Sequence, residues 1–220
     1  MYRALRYVLV SLLALHTSAG ATIIPFTTDP FAGSTALTTP GRQIVGGELF
    51  TDFDVTTDAF AFDASVFGIG SILFANSLVA NLPTTGLNVI VLQDLDNDSN
   101  AATPFAAGTA ANLIAAQITS PGAGFFIYFN QGLNVPRLVY STDLSDNTAD
   151  LKILTRLTNL TSSALPTFTS ANFATLQVPE PSTLAFLGLG LGSLIFLRNR
   201  RRARLPADTR NGSRGVTHAT

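Results

Sequence analysis

Hydrophobic positions in the middle of the chain are mostly spaced by two. Phe60, Phe62, Ala64 and Val66 alternate with Ala61, Asp63 and Ser65, the period of a half-buried strand. Phe50, Phe53 and Val55 continue that style upstream with a break. Leu87–Leu92 predicts a strand. So does Phe125–Phe129, a short apolar run bounded by Gly122 and Gly124 before it and Asn130-Gln131-Gly132 after it. Leu138–Tyr140 and Leu151–Leu157 form a further pair. In the second of these, Leu151, Ile153 and Leu157 share one face and Lys152 and Arg156 the other, although the same stretch also fits a short helix. Phe168–Val178 is a candidate last strand, and the Thr-, Pro- and Gly-rich stretch Thr27–Gly41 is a loop. One helix stands out. Thr103 is placed to cap it and Pro104 to open it, with Ala106, Ala110, Leu113, Ile114 and Gln117 at helical spacing and Ser120-Pro121-Gly122 as the stop. The expected fold is mostly β: an antiparallel, sandwich-like domain with one short helix.

The two ends follow a different pattern. Arg3 and Arg6 precede a nine-residue apolar core, Tyr7–Leu15, and the small residues Ser18-Ala19-Gly20-Ala21 follow. This is the three-part layout of a secretory signal peptide, with cleavage expected after Ala21 and Ala19 as the alternative. Near the other end, Thr183–Leu197 holds 15 residues without a charge. As a helix this spans about 22 Å, short of the roughly 30 Å of a hydrocarbon core unless the bilayer thins around it. Arg198, Arg200, Arg201, Arg202 and Arg204 come directly after it, as a cytoplasmic stop-transfer cluster would.

Composition sharpens the division. The net charge of −1 over 220 residues averages unlike parts. Between Ala21 and Val178 there are 12 acids and only four cations, Arg42, Arg137, Lys152 and Arg156, a balance of 4 − 12 = −8. Such a body repels nucleic acid. It also lacks most catalytic chemistry. The chain has no Cys, and its two His residues, His16 and His218, lie in the end segments. A Ser–His–Asp triad, a thiol nucleophile and a His- or Cys-ligated metal are therefore excluded from the body. Lys152 is its one Lys and Glu48 its one Glu.

The order Val178-Pro179-Glu180-Pro181, Leu/Gly-rich apolar helix, Arg cluster resembles a PEP-CTERM sorting signal. It covers about 27 residues, Val178–Arg204, and a 16-residue polar extension, Leu205–Thr220, departs from the usual ending at the Arg cluster. The resemblance implies an exosortase-like membrane enzyme that recognises the tail and cleaves near Pro-Glu-Pro. Arg137–Leu144 with Asn147–Leu157 also looks like a hairpin recurrent in that group. The expected organisation is a signal peptide over 1–21, an exported body over 22–177, a sorting signal with its transmembrane helix over 178–204, and a cytoplasmic extension over 205–220.

The expected role is that of a non-enzymatic cell-surface or extracellular-matrix protein. It is held in the membrane at least transiently, with extracellular polysaccharide as a candidate partner and no cofactor required. The alternatives are a calcium-dependent carbohydrate-binding module and a carboxylate-based glycoside hydrolase, the latter needing two facing acids. Asp94, Asp96 and Asp98 stand at positions 1, 3 and 5 of a turn, as calcium ligands do. Ser99 and Phe105 occupy the positions where an EF-hand needs Gly and Glu. An acidic turn capping its own backbone is the competing reading.

Overall fold

The computed structural model describes residues 20–96, 100 and 102–176. Two unbroken apolar runs, Val89–Leu92 and Phe125–Phe129, lie side by side inside its larger sheet. That sheet contains β2 (Ile44–Val45), β3 (Leu49–Thr51), β5 (Phe74–Ser77), β6 (Val89–Leu92), β7 (Gly124–Asn130), β8 (Val135–Ser141) and β9 (Leu151–Leu157). Its order is β2-β9-β8-β7-β6-β5, with β3 continuing the β2 lane against β9. A smaller sheet joins β1 (Ile23–Phe26), β4 (Ala59–Asp63) and β10 (Phe173–Leu176) in the order β1-β4-β10.

The described residues are mostly β, but the sheets are not antiparallel as expected. Six of the eight strand pairings are parallel, and only β7–β8 and β8–β9 are antiparallel. The reason is the connections. Helix α2 (Ala107–Gln117) carries the chain from the end of β6 back to the start of β7, a crossover that forces the two strands parallel. A 3₁₀ turn at Val79–Asn81 lies on the passage from β5 to β6. Strands β6 and β7 are buried on both faces, which is why they carry runs of apolar residues rather than an alternation.

The two faces of the large sheet feed two cores. Val89, Val91, Phe125, Ile127, Leu138 and Leu154 point to the small sheet, while Ile90, Leu92, Phe126, Tyr128, Val139 and Ile153 point to α2. The layers are thus small sheet, large sheet, helix. Phenylalanines join the two sheets: Phe62 of β4 stacks on Phe125 of β7 with ring centroids 3.7 Å apart, and Phe53 stacks on Phe60 at 4.4 Å. Against α2 the sheet is matched by small residues, Ala107, Ala110 and Ala111 with Ile114, which let the helix lie close.

Three local expectations need correcting. The alternation through Val66 stops at Asp63, whose carboxylate accepts from the amides of Ser65 and Val66 and opens the one-turn helix α1 (Ala64–Phe67). Helix α2 starts at Ala107 rather than Pro104, because Phe105 is buried against Tyr128 and the chain must first bring that ring to the sheet. The face assignment in β9 breaks where the register against β8 jumps from Val139↔Ile153 to Leu138↔Thr155, leaving Leu154 as a bulge. Leu151 and Ile153 therefore face α2 while Leu154 and Leu157 face the small sheet, and Lys152 and Arg156 end up on opposite faces.

Gly124 opens β7 where no side chain fits. A Cβ there would lie 2.5 Å from Leu144 Cδ1 and 2.6 Å from the carbonyl oxygen of Asn88. Gly124→Ala is expected to lower unfolding free energy by about 2–3 kcal/mol, read as a shifted denaturant midpoint with an unchanged slope.

Candidate functional site

All four cations of the body fasten one stretch of chain, the β2–β3 edge of the large sheet. Arg42 donates from Nε to the Ala149 carbonyl (3.1 Å) and from Nη1 to the Gly108 carbonyl (2.9 Å) and Asn112 Oδ1 (2.8 Å). This ties the entry to β2 onto α2 and the β8–β9 turn. Lys152 reaches from the small-sheet face and donates to the Gly46 carbonyl at 2.5 Å. From the helix face, Arg137 Nη2 (2.5 Å) and Arg156 Nε (2.6 Å) both donate to Glu48 Oε1.

The local sequence explains how Glu48 gets there. From Val45 to Leu49 the edge lane takes four steps while β9 takes three, from Lys152 to Thr155. The extra residue is absorbed at Gly46-Gly47, and Gly47 adopts φ +85, a conformation open to glycine. The bulge turns Glu48 inward, where its side chain is 7% exposed beside Arg137 at 10% and Arg156 at 28%. Behind them Arg137 Nη1 approaches Tyr128 Oη (3.4 Å), which accepts from Asn130 Nδ2 (3.0 Å). Phe50 lies under the Arg156 guanidinium, 5.1 Å from ring centroid to carbon, a cation–π contact. Burial pushes the Glu48 carboxyl up, but its own backbone amide and the two guanidinium groups outweigh that and hold it down at about 2.

The same edge walls a cleft of about 360 Å³. Phe26 and Leu154 lie on its apolar side, Leu49 and Gly47 on the edge side, and Asp29 and Lys152 supply its charged groups.

The acids of the body do something else. Asp54, Asp63, Asp143 and Asp146 each accept from the backbone amide two residues on, the hydrogen bond of an Asx turn. Asp29 does the same with Phe31. Asp58 takes the amides of Thr22 and of nearby Asp54, and Asp150 those of Leu37 and Gln43; the bonds to Thr22, Leu37 and Gln43 pin distant segments. Asp52 accepts from the Thr158 hydroxyl. Hydroxyl and amide donors from Thr56, Ser65 and Thr148 hold Asp54, Asp63 and Asp146 below the usual carboxylate range.

Of the residues singled out from sequence for calcium, Asp94 accepts through Oδ2 from the Val79 amide at 2.6 Å, so it caps the 3₁₀ turn between β5 and β6. Asp96 follows it in the chain, and Asp98 lies outside the described residues. Among the described residues, no group of three or more acidic or His side chains is placed to hold a metal ion. Ala21 is exposed chain one residue ahead of Thr22, whose amide is fixed by Asp58. Ala19, the sorting residues Val178, Pro179, Glu180 and Pro181, and the cluster Arg198, Arg200, Arg201, Arg202 and Arg204 lie outside the described residues. Among the described residues no helix is long and apolar enough to cross a membrane. The Glu48 clamp has almost no signature in the linear sequence. Its one available signal was that a single Glu and only four cations serve so acidic a body.

Residues 177–202 match the family model of the PEP-CTERM protein-sorting motif. The chain thus carries a PEP-CTERM sorting signal, and the motif implies exosortase-type processing and association with a membrane. No curated protein and no solved structure matches the chain significantly.

Glu48 makes stability depend on pH in a defined direction. Its folded pKa lies below its unfolded one, so its contribution is complete above the unfolded value of about 4.3 and is lost as pH falls toward 2. Glu48→Gln is expected to cost about 3 kcal/mol at pH 7, since Arg137 is left buried without its counter-charge. The gap between mutant and parent narrows in denaturant melts taken between pH 5 and 2.

Proposed function

We propose that this chain is an exported, non-enzymatic protein of the cell surface or extracellular matrix, delivered through its PEP-CTERM tail. The observation that carries the reading is the motif match over 177–202. An amino-terminal signal peptide starts export, the apolar segment Thr183–Leu197 holds the chain in the membrane, and the Arg cluster keeps its far end in the cytoplasm. An exosortase-type enzyme then acts near Pro179-Glu180-Pro181. The two prolines favour extended backbone there and cannot continue a helix, which suits a strip of chain gripped by a membrane-embedded protease.

A body that works by contact rather than catalysis is supported by how its acids are used. Each Asp with a hydrogen bond described above serves a turn, a cap or a cross-link of the chain itself. A carboxylate hydrolase instead needs an acid held neutral in an apolar pocket opposite a second one. Hydrogen bonds from nearby amides and hydroxyls favour the charged form of Asp54, Asp58, Asp63 and Asp146 instead. Display outside the cell brings the sheet edges and the Asp29–Lys152 cleft within reach of extracellular polysaccharide, the partner class proposed here.

Intact-mass measurement on the exported protein tests the sorting route. A new amino terminus at Thr22 and a carboxyl terminus between Pro179 and Ser182 are expected. A mature chain that keeps Arg198–Arg204 would contradict processing and leave a plain membrane anchor.

A further inference from the structure

The two edges of the large sheet are treated differently. At the β5 edge, Asn76 Nδ2 donates to the carbonyls of Leu165 (2.8 Å) and Phe168 (2.9 Å), so the 3₁₀ segment Ser162–Thr167 runs against that strand. At the other end β3 pairs with β9 on one side, and no described strand pairs with its outer side. Proteins usually guard such an edge with outward charges or a covering segment. Here Glu48 is turned inward, Lys152 is engaged with Gly46, and the most exposed side chains of β3 itself are apolar, Leu49 at 53% and Phe50 at 71%, with exposed Asp52 just past its end.

We propose that β3 pairs antiparallel with β3 of a second copy of this chain, about a two-fold axis at Phe50. Phe50 is the centre of the three-residue strand, so self-pairing sets it opposite itself and sets Asp52 of each copy opposite Glu48 of the other. The charges favour that register. Glu48 with Arg137 and Arg156 sums to +1, and it meets the −1 of Asp52. Two-fold pairing of this kind is self-complementary, as closed dimers require. A three-residue edge buries little area, so the contact is weak between free molecules. It becomes effective when copies are held at one membrane surface and local concentration rises. That last step rests on the sorting reading; the pairing itself does not.

Because the chain contains no Cys, a single introduced thiol reports the contact. Cβ atoms opposite each other in an antiparallel pair lie about 4.5–5.5 Å apart, close enough for a disulfide after a small adjustment. The purified full-length Phe50→Cys chain in detergent is expected, on mild oxidation, to form a disulfide dimer at least tenfold faster than Leu133→Cys. Leu133 is a 42% exposed site in the β7–β8 turn and serves as the collision control. Adding Asp52→Lys to Phe50→Cys should bring the rate down toward the control. Equal rates at the two positions, or no dimer from Phe50→Cys, would overturn the proposal, and neither result bears on whether the tail is sorted.

Discussion

The shared carboxylate oxygen of Glu48 is the contact on which the edge of the larger sheet depends. Two guanidinium groups from neighbouring strands meet on it, and the strand that carries it has only two short pairings with β9 to hold it otherwise. Five residues of strand in two pieces, split by a bulge, bring little backbone bonding of their own. Arg42 and Lys152 add anchors at the head of the segment and at the bulge. With twelve acids and four cations in the body, one would expect the cations to be spread out against the excess negative charge. Their concentration on one edge shows where the sheet has least support of its own.

Aromatic packing solves a different problem. The small sheet is all parallel and only three strands wide, so it depends on covering its hydrophobic face. Phe26, Phe60, Phe62 and Phe173 lock it to the large sheet through Phe53, Phe125 and Phe168. The opposite face of the large sheet is closed by an alanine-rich helix. Large rings between sheets and small residues under the helix give three layers from one chain without a disulfide.

The sequence revealed strand positions better than strand direction. Alternation found β4, and unbroken apolar runs found β6 and β7. Those runs also held the clue to parallel pairing, since Val89–Leu92 and Phe125–Phe129 flank a helix and lack the polar face of an antiparallel edge. The bulge at Leu154 could not be seen in advance: a one-residue insertion flips every later side chain, and only pairing with β8 shows where it falls. The clamp was hidden for a similar reason. Glu48, Arg137 and Arg156 are far apart in sequence, and their meeting depends on the Gly46-Gly47 bulge and on cross-strand register. The sorting motif was the most legible feature, because it is a linear signal written in consecutive residues.

Structure and signal fit together in the body's chemistry. The body has no His and no Cys, its described acids serve its own turns and cross-links, and Phe50, on the edge beside Glu48, is the most exposed large hydrophobic residue among the described residues. Amide hydrogen exchange on the full-length chain, parent against Glu48→Gln, tests the clamp most directly. The account predicts protection lost first and most at residues 44–51 and their partners in β9, with β6 and β7 unchanged. Loss spread evenly over both sheets, or no loss at 44–51, would contradict it.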